Sequence, residues 1–152
     1  MRSQDIVAGA AGGLAAGAMM AAMMMAMKRA GMVNDPLPEK VERWAEERLG
    51  DGRLPSPGRQ EAVGQAGHLA ASAALGAAYG MARPEGGSPL RDGLMFGAGL
   101  YAVDVAGIGP VLGIVEAPTD SSAAANARRL AMHLMFGIVT AALTWEASRR
   151  LS

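Results

Sequence analysis

Three residues in this chain carry reactive chemistry where almost nothing else does: His68, Asp104 and His133. Each sits in a long stretch with no other charge or imidazole. An imidazole titrates near neutrality, so two at matching depth could form a pH-sensitive pair or a proton relay. Two imidazoles could also ligate the iron of a b-type haem. The plain alternative is a pair of neutral, hydrogen-bonding packing residues. A carboxylate in an apolar segment is costly and tends to mark an ion or proton pathway. Asp104 lies within a turn of Gly107-Ile108-Gly109-Pro110, where Pro110 removes a backbone donor and disfavours helix at Gly109. A helix break is expected there, and broken helices expose backbone groups to ions. Here too a neutral carboxyl bonded to a neighbouring helix is the plain alternative.

Other chemistry is sparse. There is no cysteine, which excludes disulfides, thiolate metal sites and a cysteine nucleophile. No nucleophile–base constellation, phosphate loop or metal-hydrolase motif is present, so neither an enzyme nor a metal site is expected. Met19, Met20, Met23, Met24, Met25 and Met27 offer soft thioethers that suit Cu(I). They surround most of a helix, however, and that reads as flexible apolar filler. Fourteen basic and fourteen acidic residues cancel, and no basic field points to nucleic acid.

The elements that must position these residues follow from where charge is missing. Ile6–Met27 is an uncharged run of 22 residues, and Ala62–Ala82 one of 21. Gly93–Val115 is broken only by Asp104, and Leu130–Trp145 is bounded by Arg129 and Glu146. A bilayer core of about 30 Å takes roughly 20 helical residues. The expected fold is therefore an all-α membrane protein with four spans, at about 6–27, 62–82, 93–115 and 130–147. An Ala-rich soluble bundle is the rival, but GAMMAAMMMAM has no polar face to give to water. The first run exceeds the length of a signal-peptide core, so cleavage is not expected.

Small residues recur at helical spacing within these runs. Gly9, Gly13 and Gly17 form one stripe, and Gly64, His68, Ser72, Gly76 and Gly80 form another. Gly97 and Gly137 serve the third and fourth spans. Such stripes let helices approach closely in lipid, where packing drives association. The Gly64–Gly80 stripe is read as the seam between the two halves of the chain, with His68 and His133 at similar depth.

One polar segment remains. Over about 36–49, Leu37, Val41, Trp44, Ala45 and Leu49 share a face opposite charged residues. This is an amphipathic helix expected at the membrane interface, with Trp44 as its anchor. The ten-residue link Arg83–Asp92 predicts a hairpin of spans two and three. GHLAASAALGAAYGMAR and MHLMFGIVTAALTWEASR echo one another, which suggests a two-fold repeat of helix pairs. Nine Lys/Arg accompany the two long loops against five on the side of the termini. By the positive-inside rule the loops would be cytoplasmic.

The segments GAAGGLAAG, DPLPEKVERWAE, AGHLAASAALGAAYG, LYAVDVAGIGPVLGI and RRLAMHLMFGIVTAAL resemble the YagU-like families of small bacterial membrane proteins. The likeness runs over nearly the whole chain, with His68, His133 and the Gly109-Pro110 break its most distinctive points. Asp104 departs from the small or apolar residue expected at its place. The resemblance implies a multi-pass protein of the bacterial inner membrane and supplies no reaction.

Packing signals outnumber chemical ones. The leading expectation is therefore a non-enzymatic structural or accessory subunit, joined to copies of itself or to a larger membrane complex through its glycine stripes. A small transporter or proton/ion pathway through Asp104, His68 and His133 is the alternative, and a bis-histidine haem protein the third.

Overall fold

Every described element is a helix in the computed structural model, which describes residues 3–32, 37–49, 57–83 and 86–150. In order these are α1 (Ser3–Arg29), α2 (Leu37–Leu49), α3 (Pro57–Ala82), α4 (Pro89–Val103), a π-helical turn (Asp104–Ile108), α5 (Gly109–Val111) and α6 (Ala123–Arg150). The expected cap at Asp35-Pro36 and stop at Gly50 lie outside the described residues.

Glycine decides which helices touch. The stripe Gly9, Gly13, Gly17 faces Ser72, Gly76 and Gly80, so α1 and α3 run antiparallel in close contact. A Cβ on Gly13 would stand 2.8 Å from the Gly76 Cα, and one on Gly76 would meet the backbone oxygen of Gly9. α4 and α6 make a second antiparallel pair in the same way. There a Cβ on Gly93 would lie 2.7 Å from the Ile138 Cα, and one on Gly97 2.8 Å from the Leu134 Cα. Both seams place backbone against backbone, which only side-chainless positions allow.

The two pairs meet along α1 and α6. Gly12 admits α6, since a Cβ there would come within 2.9 Å of the Thr140 carbonyl oxygen and 3.0 Å of Thr144 Oγ1. The expected seam between the halves is thereby corrected. The Ser72, Gly76 and Gly80 part of the stripe is spent on α1, and α3 barely touches α6. The tight hairpin of spans two and three is corrected as well. α3 and α4 are neighbours in sequence, but each has a glycine partner elsewhere. They meet through Tyr79 and Phe96, whose ring centroids are 5.0 Å apart.

Thr140 and Thr144 are fully buried at the α1–α6 crossing. Thr144 Oγ1 donates to the Thr140 carbonyl at 2.6 Å, while Thr140 Oγ1 has no partner among the described residues. An unsatisfied buried hydroxyl costs about 1–3 kcal/mol. Thr140→Val is accordingly expected to raise the thermal midpoint of the detergent-solubilised protein. Thr144→Val, which loses a made bond, is expected to lower it.

Three helical runs are long and apolar enough to cross a membrane: Ser3–Arg29, Pro89–Val111 and Ala123–Arg150. The expectation was four. α3 has the length, at 26 residues, but not the hydropathy, because Ala and Gly contribute little and Arg59 and Glu61 occupy its first turns. The fourth expected span also starts earlier than 130. Ser122 Oγ accepts the Ala125 amide at 3.2 Å, and the Ala-rich loop that follows is already helical.

The expected break in the third span is a π-helical turn. Gly109 N–H reaches back five residues to the Asp104 carbonyl, and the helix continues through Pro110. Pro110 cannot donate to Ala106, so the wider turn takes up the mismatch without leaving the backbone open. Gly109 is needed here, since a Cβ would meet the Asp104 carbonyl oxygen at 2.5 Å.

Candidate functional site

The π-turn begins at Asp104, two helical turns beyond the Gly97 seam that holds α4 against His133. That register sets Asp104 Oδ2 3.4 Å from His133 Nε2. His133 is almost fully buried on α6, and its Nδ1 lies 2.8 Å from the Arg129 carbonyl. A carbonyl oxygen only accepts, so Nδ1 carries the proton of this bond. Nε2 of a neutral imidazole is then an acceptor facing a carboxylate. The contact becomes attractive when one proton is shared, as imidazolium with carboxylate or as imidazole with carboxylic acid. Tyr101 fixes the ring from its edge, with centroids 5.8 Å apart at 81°.

His68 is held from the other pair. Its Nε2 donates to the Gly17 carbonyl across the α1–α3 seam at 3.2 Å. Nδ1 is thereby the remaining acceptor of a neutral ring. The two histidines do not touch one another through any hydrogen bond; they share a space instead.

That space is a cavity of about 500 Å³ between the two helix pairs. His68, Asp104, His133 and Ser72 lie on its wall, and the remaining lining is almost wholly apolar. Met20 and Met24 of α1 contribute to it, so part of the methionine cluster is cavity lining, whereas Met19 and Met23 are exposed on the outside. Gly64, expected to pack a helix, is buried at the cavity wall. Gly107 makes no close approach beyond the Ala102 carbonyl of its own helix.

The amphipathic helix has a role that its pattern did not disclose. α2 brings Val41 and Ala45 to the cavity wall. Trp44 Nε1 donates to the Leu112 carbonyl at 2.9 Å, just beyond α5, where the helix has ended and left that oxygen free. Trp44 therefore anchors α2 to the π-turn segment. Arg48 stacks on the Trp44 ring at 5.2 Å and approaches the same carbonyl.

At the far end, Asp5 Oδ1 accepts from Arg83 at 3.0 Å and from Ser148 Oγ at 2.6 Å. One carboxylate thus joins the ends of α1, α3 and α6. Sequence reading passed it over, although Asp5 and Arg83 each bound an uncharged run.

Among the described residues no group of three or more His, Asp or Glu is placed to hold a metal ion. Haem ligation through both Nε2 atoms would require His68 to give up Gly17 and His133 to give up Asp104. No family model, no curated protein and no solved structure matches this chain.

Proposed function

We propose that this chain is a small membrane carrier that binds an amphiphilic molecule in the cavity and couples it to the proton shared by Asp104 and His133. The observation that carries this reading is the convergence of His68, Asp104 and His133 on one apolar cavity. A cavity of roughly 300–1,000 Å³ with a few converging polar groups is the usual form of a small-molecule site. The Asp104 side chain is 52% exposed within the protein. In lipid, a carboxylate left that open calls for a partner.

The membrane arrangement in this reading has four spans, with α2 at the interface. α3 lies along α1 from Asp5 opposite Gly80 to Gly17 opposite Ser72, so it shares the depth of α1 throughout. Its Gly76 and Gly80 face α1, which relieves it of part of the hydropathy that a lone span needs. The two glycine-closed pairs, α1 with α3 and α4 with α6, accord with a two-fold repeat. The YagU-like resemblance would place the protein in a bacterial inner membrane. The accessory-subunit reading was drawn from the glycine stripes, and these are filled within the chain.

The test is proton movement in proteoliposomes on which an inward gradient of an amphiphilic probe, tetraphenylphosphonium or triphenylphosphine oxide, is imposed, followed with an enclosed pH dye. Asp104→Asn is expected to reduce the flux more than about tenfold, the loss typical of a removed proton-transfer group. His68→Ala is expected to reduce it as well. Flux unchanged in both variants would remove the proposal.

A further inference from the structure

We infer that the cavity takes a lipophilic monovalent cation, whose binding at Asp104 expels the shared proton. This rests on the carrier reading above and names the class of molecule carried.

The charges around the cavity exclude the other classes one by one. Among the described residues no Lys or Arg lines it, so an anionic head would meet the Asp104 carboxylate with no fixed counter-charge there. A neutral molecule would leave the shared proton where it is, so its binding would not be coupled to that proton. A monovalent cation closes the account. Among the described residues the groups facing the pair are few. α3 presents His68, α4 presents Tyr101, and α6 presents His133 itself. α1 presents Met20 and Met24, and α2 presents Val41 and Ala45, with Arg48 turned to the Leu112 carbonyl.

For a cation, charge then balances by exchange. Before binding, Asp104 and His133 together hold one proton and are neutral as a unit. After binding, Asp104 is a carboxylate paired with the cation, and His133 is a neutral imidazole bonded through Nδ1–H to Arg129. One cation enters and one proton leaves, so the buried site stays neutral in both states. A cation beside a retained imidazolium would put two positive charges against one negative in an apolar wall, which is strongly unfavourable.

The rest of the wall suits such a molecule. Phe136 adds an aromatic ring to the lining, a residue type that attracts cations. Met20 and Met24 are polarizable and adjust to irregular shapes, as in sites that accept varied apolar partners.

The test uses the full-length protein in detergent with tetraphenylphosphonium, measured by equilibrium dialysis and by pH change in weakly buffered solution. Saturable binding with release of about one proton per cation is expected. In Asp104→Asn the affinity should fall more than about tenfold and the release vanish. Binding of the cation without proton release overturns the inference on the wild-type protein alone, whatever the variant's folding. So does undiminished binding in Asp104→Asn. The neutral analogue triphenylphosphine oxide separates the two levels of the argument. If it binds and the cation does not, the cation inference fails and the carrier reading stands. If neither binds, both fail.

Discussion

Gly76→Leu is expected to abolish the native fold of the solubilised protein or lower its thermal midpoint drastically. Gly76 is where α1 and α3 come closest: a Cβ there would meet the Gly9 oxygen and stand 2.7 Å from the Gly13 Cα. The atoms in the way are backbone on a helix packed from both sides, so no rotamer change can clear them. Overpacking a well-packed interior costs about 1–3 kcal/mol when side chains can yield. Here they cannot, and the loss should reach or exceed the upper figure. Gly99→Leu is the control. A Cβ at Gly99 meets nothing within 4 Å, and replacing a helical glycine gains up to about 1 kcal/mol of propensity. A circular-dichroism melt of both variants in one detergent checks the prediction. Equal midpoints would show that the α1–α3 seam does not hold the fold.

That contrast marks what could be read in advance. A glycine stripe at spacing four announces a close helix contact, because only a side-chainless row is useful at that spacing. It does not announce the partner. Gly76 stands in such a row between Ser72 and Gly80, whereas Gly99 has Met95 and Val103 four residues away, and only the structure shows that the backbone Gly76 meets is that of α1. The short link Arg83–Asp92 argued for pairing α3 with α4, yet both had a better glycine match, α3 on α1 and α4 on α6. Backbone complementarity outweighed chain proximity.

The site was legible in its parts and not in its connections. His68, Asp104 and His133 stood out because each was alone in an uncharged run. Similar depth for the two histidines followed from running α3 and α6 in the same direction. The direct pairing of Asp104 with His133 did not follow, because it depends on the Gly97 register of α4 against α6. Pro110 signalled an irregularity and was read as a break. In apolar surroundings an open break leaves carbonyls unsatisfied, and the five-residue reach of Gly109 to Asp104 avoids that. The amphipathic face of α2 was equally plain. Its seat over the cavity combines packing on α3 with the Trp44 bond to the Leu112 carbonyl, which no periodicity encodes.

Asp5→Ala separates the framework from the site. The Asp5 carboxylate accepts one hydrogen bond from the Arg83 guanidinium and one from Ser148. Both side chains of the Asp5–Arg83 ion pair are largely covered, at 18% and 22% exposure. Hydrogen bonds to a charged group contribute about 1.5–3 kcal/mol each when shielded from water. At an end of the bundle, partly open to solvent, the lower figure applies to the pair. Asp5 also stands in the first turn of α1, where a negative charge favours the helix. A loss of about 2–3 kcal/mol is therefore expected on removing the acceptor. Asp5→Asn, which keeps an oxygen for Ser148 but no charge for Arg83, should fall between. The carboxylate lies opposite Gly80 on α3, three helical turns from His68 and far from the cavity wall. Proton flux per folded molecule should accordingly stay at the wild-type level in Asp5→Ala, while the thermal midpoint drops. A variant that lost flux with an unchanged midpoint would place this cluster in the proton path and not in the framework.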